Sequence, residues 1–323
     1  MRRNINNETI EGRVYDHNLK LKTVQKQGDN YGKPFIQGEL FIATDDEGLN
    51  VIPIHYSYVA EKTKAGKANQ TFTALKKIVE DEQTWLKVGK DNATMVSAST
   101  ALDVNDFYPD PSKDELVSTK RNEGGFINFV QTLKPEEKDR ATFMADMLIV
   151  NITEKEANEE KNIPAYVNVN GYIFNFRNEI KPVSLIVKNP NGMNYFMGLE
   201  VSNAEPIYTK VWGKINFKST VETKTEQSAW GDSEAVSTST RTHKEWIITG
   251  TAPIPYEYGD EKILTADDMN KASQDRELLL AKIKSDAIEY QKNRNISAET
   301  ASGGFPTPSI MSNTATNSAP FRF

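Results

Sequence analysis

The sequence predicts a mainly β protein: two small Greek-key barrels in tandem, then a C-terminal helix and a disordered tail. Three observations carry that expectation. Short segments rich in β-branched and aromatic residues, punctuated by Gly, Asn, Asp and Pro turns, run from near the start to about residue 258. Inside the first half the strand pattern breaks for one amphipathic helix, over 69–82. From Ile296 onward the chain is Ser, Thr, Ala, Asn, Pro and Gly, too polar to offset the entropy of ordering.

The organising stretch is 12–59, which reads as three consecutive strands. In the first, Val14, Leu19, Leu21 and Val24 interleave with Lys20, Lys22 and Lys26. Val24 shares the parity of the lysines, which predicts a bulge or bend after Lys22. Residues 27–34 form a turn, because Gly and Asn accept positive φ and Pro fixes it. A second strand follows over 35–44, an acidic turn at 45–48, and a third strand over 49–59. A polar, cationic connection carrying Lys62, Lys64 and Lys67 leads to the helix, whose Phe72, Leu75, Ile78 and Val79 fall on one face. Segments 85–88 and 94–104 return to strand character, and 116–133 reads as a closing hairpin around Gly124 and Gly125. Strand, strand, strand, helix, strand, strand is the order of an OB-like barrel.

The domain boundary is expected in the charged stretch after Lys134, giving domains at 1–134 and 140–258, a helix at 265–293 and a tail at 295–323. In the second domain 142–152, 166–177, 183–188, 195–201 and 207–225 read as strands and 189–192 as a turn. Its pattern leaves open an OB barrel or a sandwich. A Ser/Thr/Glu-rich ribbon spans 220–242, with Trp230 at its tip. Thr265 followed by Asp268 is a capping box that opens the C-terminal helix.

Composition narrows the class. At 323 residues the chain is too long for one small barrel. With no cysteine there is no disulfide framework and no thiolate metal site. The opening MRRNINNETIEG lacks the apolar core of a signal peptide, and no apolar run approaches the ~18 residues of a membrane span, so a cytoplasmic protein is expected. No phosphate-binding loop, dinucleotide fingerprint or HExxH motif occurs. His17, His55 and His243 are scattered, and Asp45, Asp46 and Glu47 read as a solvated turn. Neither catalysis nor a metal or cofactor is expected. The net charge of −6 runs against a uniformly basic nucleic-acid binder. Binding needs only one cationic groove, however, and acids elsewhere can outweigh it in the sum.

Such a groove is legible. Lysine and arginine neutralise phosphates, and exposed aromatic rings stack on bases whatever the sequence. The first barrel offers Tyr15, Lys20, Lys22, Lys26, Tyr31, Lys33, Tyr56, Tyr58, Lys62, Lys64 and Lys67. The second offers Tyr172, Phe174, Arg177, Trp212, Lys214 and Lys218, with core as the alternative for Phe174 and Phe176, which share the parity of Tyr172, and for Tyr172 itself. At the chain's end Phe321 and Phe323 form a short aromatic peptide suited to docking on a partner protein.

The opening strands (GRVYDHNLKL, KPFIQGELFIATDDEGLNVIPIHYSYV), the looser second β domain and the tail together resemble OB-fold single-stranded-DNA-binding proteins, most like those that bacteriophages encode. The resemblance implies a non-enzymatic protein that coats and protects single-stranded DNA during replication or recombination, acts in the host cytoplasm, self-associates along the strand and recruits replication proteins through its tail. Pro320-Phe321 resembles the usual Pro-Phe ending, but the tip lacks the family's acidic run and adds Arg322-Phe323. The competing expectations are a β-rich virion or assembly protein, and an interaction module of replication or recombination that never touches DNA.

Overall fold

The computed structural model describes residues 4–158, 163–227 and 234–301. Trp230 at the ribbon tip and the tail with Phe321 and Phe323 lie outside the described residues. The rest is mainly β, as the sequence predicts. In the first half β1 (Asn6–His17) and β2 (Lys20–Thr23) are followed by β3 (Pro34–Ala43) and β4 (Val51–Ala60). After the helices α1 (Gln70–Asp81) and α2 (Trp85–Val88) come β5 (Met95–Phe107) and β6 (Val117–Phe129). Strand β1 pairs with β3, β3 with β4, β4 in parallel with β6, β6 with β5, and β5 with β1 again. That circuit, with a helix between the third and fourth barrel strands, is the OB topology.

The second half repeats it. Here β7 (Ala141–Lys155), β8 (Tyr166–Phe174) and β9 (Ile180–Val187) precede α3 (Pro190–Met197), and β10 (Ile207–Gln227) and β11 (Glu234–Thr251) follow it. Pairing runs β7–β8, β8–β9, β9–β11 in parallel, β11–β10 and β10–β7. The second β domain is therefore a closed OB barrel and not a sandwich. Beyond the barrel β10 and β11 continue as the expected ribbon, in register out to Gln227 opposite Glu234.

Local chemistry sets the helix boundaries. Asn69 caps α1 by accepting from the Thr71 amide, and the helix buries Phe72, Leu75 and Ile78 before Glu82 turns left-handed at φ 50°. Residues 189–192, expected as a turn, open α3 instead. Asn189 accepts from the Asn191 and Gly192 amides, and Pro190 takes the first-turn position where it has no hydrogen bond to lose. No strand forms over 195–201: the helix takes residues up to Met197, and 198–201 is loop. The strand expected over 85–88 is the short helix α2, and the hairpin expected at Gly124-Gly125 is a continuous β6. The capping box forms as read: Asp268 N donates to Thr265 Oγ1, and Thr265 N donates to Asp268 Oδ2, each at 3.1 Å. Helix α4 (Ala266–Ala301) then outlasts the expected end at 293. No helix among the described residues is long and apolar enough to cross a membrane.

The barrels are not beads on a string. Residues 8–13 of β1 pair on one edge with β5, while residues 6–10 pair on the other edge with 141–145 of β7, before that outer edge passes to β3 at Arg13. One 11-stranded sheet results. Across this seam Trp246 of β11 donates its indole N–H to Glu8 of β1 at 2.8 Å, and Lys120 Nζ of β6 donates to the Ser184 carbonyl of β9 at 2.6 Å. A fragment ending at residue 134 exposes the bare outer edge of β1, a template for non-native pairing. It is expected to aggregate on size-exclusion chromatography; a monodisperse fragment melting like the full chain would show that the seam is dispensable.

Candidate nucleic-acid interface

The place to look on an OB barrel is the outer face of its second and third strands with the loops at their ends. In the first barrel these strands are β3 and β4, and β2 adds a fully exposed edge strand beside them. Lys22 lies opposite Phe35 and Lys20 opposite Gln37, while Phe35 lies opposite Ala60. Val24 and Lys33 close the loop between β2 and β3, with Val24 N donating to the Lys33 carbonyl. Glu61 N donates to the Pro34 carbonyl, so the tight hairpin bridged at Lys62 and Ala68 springs from the same end. Lys20, Lys22, Lys26, Lys33, Lys62, Lys64 and Lys67 thus gather at one end of three adjacent strands, all exposed. Among the described residues none of these lysines has a carboxylate ion-pair partner; Lys33 rests on the Asn30 side-chain oxygen at 3.1 Å.

An aromatic pair stands among them. The rings of Phe35 and Tyr58 are 4.7 Å apart and inclined by 30°. Tyr58 is 47% exposed. Tyr56, two residues earlier and of the same strand parity, is 1% exposed: a correction to the expected site, since its ring is sealed in the barrel. The register explains the split. Ile36 pairs with Val59 and Gly38 with Tyr56, so Ser57 and Tyr58 together face Gln37. This β-bulge inserts one residue, resets the alternation and turns Tyr58 outward. Inside, the Tyr56 ring occupies the space a side chain at position 124 would need, 2.3 Å from where its β-carbon would lie, so only glycine fits there. Among the described residues the Tyr56 hydroxyl has no hydrogen-bond partner, and burial pushes its pKa up.

Two carboxylates near the groove floor are already engaged. Glu39 is held by Asn18, whose side-chain amide reaches Glu39 Oε2 at 3.3 Å, and Glu123 accepts from Ser57 Oγ at 2.9 Å and pairs with Arg121 at 3.2 Å.

The other expected residues do not converge on this face. Tyr31 is exposed on the loop between β2 and β3, but Tyr15 sits at the opposite end of the barrel, against Trp85 at 6.0 Å. In the second barrel Tyr172 is half-buried in a cluster with Tyr256, Leu264 and Met269, so the chain's own C-terminal segment covers it. Trp212 lies on β10, away from the second and third barrel strands, with its ring over Gly250. Lys214 and Lys218 line a separate cleft of about 310 Å³ between the barrels, with Thr44, Asn50 and Asn216. Arg177 stacks over Phe176 at 5.1 Å, and Phe176 is 79% exposed and not core; Phe174 is buried, so it belongs to the core and not to a binding face. Sequence reasoning missed Phe35, whose signal was its place directly after Pro34 at the mouth of a lysine-rich turn.

The acidic turn has an occupant within the chain. Burial works against the charged form of Asp46, but the hydrogen bond and charge of Arg140 at 3.2 Å, with Lys90 and Arg13, hold its carboxyl below the usual range. No cluster of metal-ligating side chains occurs among the described residues.

Fold and surface together define a tandem OB-barrel protein whose first barrel exposes lysines and an aromatic pair on one face. The YorF family model matches residues 4–286, and the chain belongs to that family. No curated protein matches it.

Proposed function

We propose that this protein binds single-stranded DNA on the outer face of β3 and β4 and coats it, without catalysis, during replication or recombination of a bacteriophage genome. Its place on this reading is the cytoplasm of the infected cell. The observation that carries the reading is the meeting of uncompensated lysines with the Phe35–Tyr58 pair where OB barrels present their ligand face. Lysines release counterions from phosphates, and the rings accept any base. The net charge of −6 is no obstacle, because binding needs only a local excess of lysine on one face, whatever the acids elsewhere add to the sum.

The test is a fluorescence titration with oligo-dT at low and moderate salt. Micromolar or tighter binding that weakens steeply with salt is expected; no binding at low salt would overturn the reading. The bulge supplies a sharper discrimination. Tyr58→Ala is expected to weaken binding by roughly tenfold, the worth of one lost base stack. Tyr56→Phe removes only a buried hydroxyl without a partner, so it should leave affinity unchanged and stability equal or higher. The reverse pattern, by titration and thermal melting, would mean that the two rings have been assigned to the wrong sides of the barrel wall.

A further inference from the structure

The geometry points to Phe126 as a further base-stacking residue, continuing the path of a bound single strand from the Phe35–Tyr58 pair onto β6. This rests on the binding reading above and extends it to a strand and a side chain that the three-strand face does not include.

Strands β4 and β6 run parallel, with His55 beside Glu123. Tyr58 is three residues beyond His55, and Phe126 is three residues beyond Glu123. The two aromatics therefore stand at matching steps along neighbouring strands. Both are solvent-facing, Phe126 at 69%. Both also owe their exposure to a bulge. Where β5 pairs with β6, Ala98 faces Ile127 and Thr100 faces Gly124, so Gly125 and Phe126 share the single partner Ser99. Without that extra residue the alternation that buries Ile127 would continue differently and Phe126 would have no reason to face out. The bulge depends on glycine: a β-carbon at position 125 would stand 2.6 Å from the Ser99 carbonyl oxygen. Thr71 Oγ1 donates to the Gly125 carbonyl, tying the bulge to the start of α1, which directly follows the hairpin that carries Lys62, Lys64 and Lys67.

Among the described residues Phe126 has no ring partner, and a phenylalanine so exposed adds little to the fold. Its neighbour along the strand repeats the chemistry of the groove: Phe129 is exposed, with Lys77 Nζ 5.3 Å from its ring centroid. Ring and cation again stand together, as single-strand binding requires. A protein partner would find the same ring, but the adjoining lysines favour a polyanion.

The experiment uses the full chain with oligo-dT. Phe126→Ala is expected to lower affinity about tenfold while leaving the salt dependence unchanged, because a ring carries no charge. Phe126→Trp should retain affinity, and its added indole emission should be quenched in proportion to the DNA bound. Matching melting temperatures for the variants and the parent would exclude a folding defect. If the parent binds with a lysine-dependent salt slope but Phe126→Ala binds equally well and the Phe126→Trp emission is unmoved, the inference fails and the first-barrel reading stands. If the parent does not bind oligo-dT at all, both fail. Loss of affinity accompanied by a changed salt slope would also overturn the stacking role, pointing to displaced lysines.

Discussion

Replacing Lys20 and Lys22 together with alanine should weaken oligo-dT binding at every sequence tested and flatten its salt dependence. The two lysines lie on the exposed edge strand β2, opposite Gln37 and Phe35, and carry no carboxylate partner among the described residues. Each phosphate neutralised on a single strand contributes about 0.7 to the slope of log K against log salt, so losing two contacts should reduce the slope by about 1.4. At low salt the affinity should fall by one to two orders of magnitude, and near molar salt the variant and parent should converge. Because β2 is exposed along its whole length, the fold should be untouched, and thermal melts of the variant and parent should coincide. A double variant whose slope matches the parent would place the phosphates elsewhere, with Lys214 and Lys218 in the inter-barrel cleft the next residues to remove.

The second large effect concerns stability. Glu8 sits in the seam, buried, accepting from Trp246 Nε1 and Thr100 Oγ1 at 2.8 Å each. No lysine or arginine forms an ion pair with it among the described residues. Burial raises its pKa to about 7, against the smaller opposing pull of the two hydrogen bonds. A carboxyl whose pKa is higher folded than unfolded favours the folded state while protonated. That contribution is complete below about 4.5, the unfolded value, and is lost as pH rises through 7. Above pH 7 the fold carries a buried carboxylate, at a cost of up to roughly 3 kcal/mol. Glu8→Gln mimics the protonated side chain, accepting from the indole and donating to the Thr100 oxygen. Urea melts should show the variant more stable than the parent at pH 8, with the difference shrinking toward pH 5. A difference independent of pH would show that Glu8 does not titrate in this range.

Local chemistry made much of the molecule legible. The alternation of Val167 and Val169 in β8, the capping box at Thr265 and the helix stripe of Phe72, Leu75 and Ile78 are interactions between near neighbours, and each formed as read. Lys20 and Lys22 are exposed as expected, but so is Leu21 between them, because β2 is an edge strand open on both faces and not a half-buried one. What could not be read was set by distant partners. Tyr56 and Tyr58 share parity, and only their pairing with β3 reveals the extra residue that separates their fates. Phe126 was hidden for the same reason, because Gly124-Gly125 signals a turn locally while β5 keeps it in a strand. Tyr172 could be read as a ring for bases or as core, and only the return of residues from 256 to 272 to cover it decides between them. The pairing of β1 with β7 has no local signature at all.

That shared sheet has a further consequence for the choice of ligand. Domains joined by a linker can swivel to follow whatever they hold, but these barrels share a row of backbone hydrogen bonds between β1 and β7 that a hinge there would have to break. If the protein binds DNA as proposed, bending falls to the guest: a single strand curves at little cost, whereas a duplex stays stiff over about 150 base pairs, so a preference for single strands over double helices is the expected result.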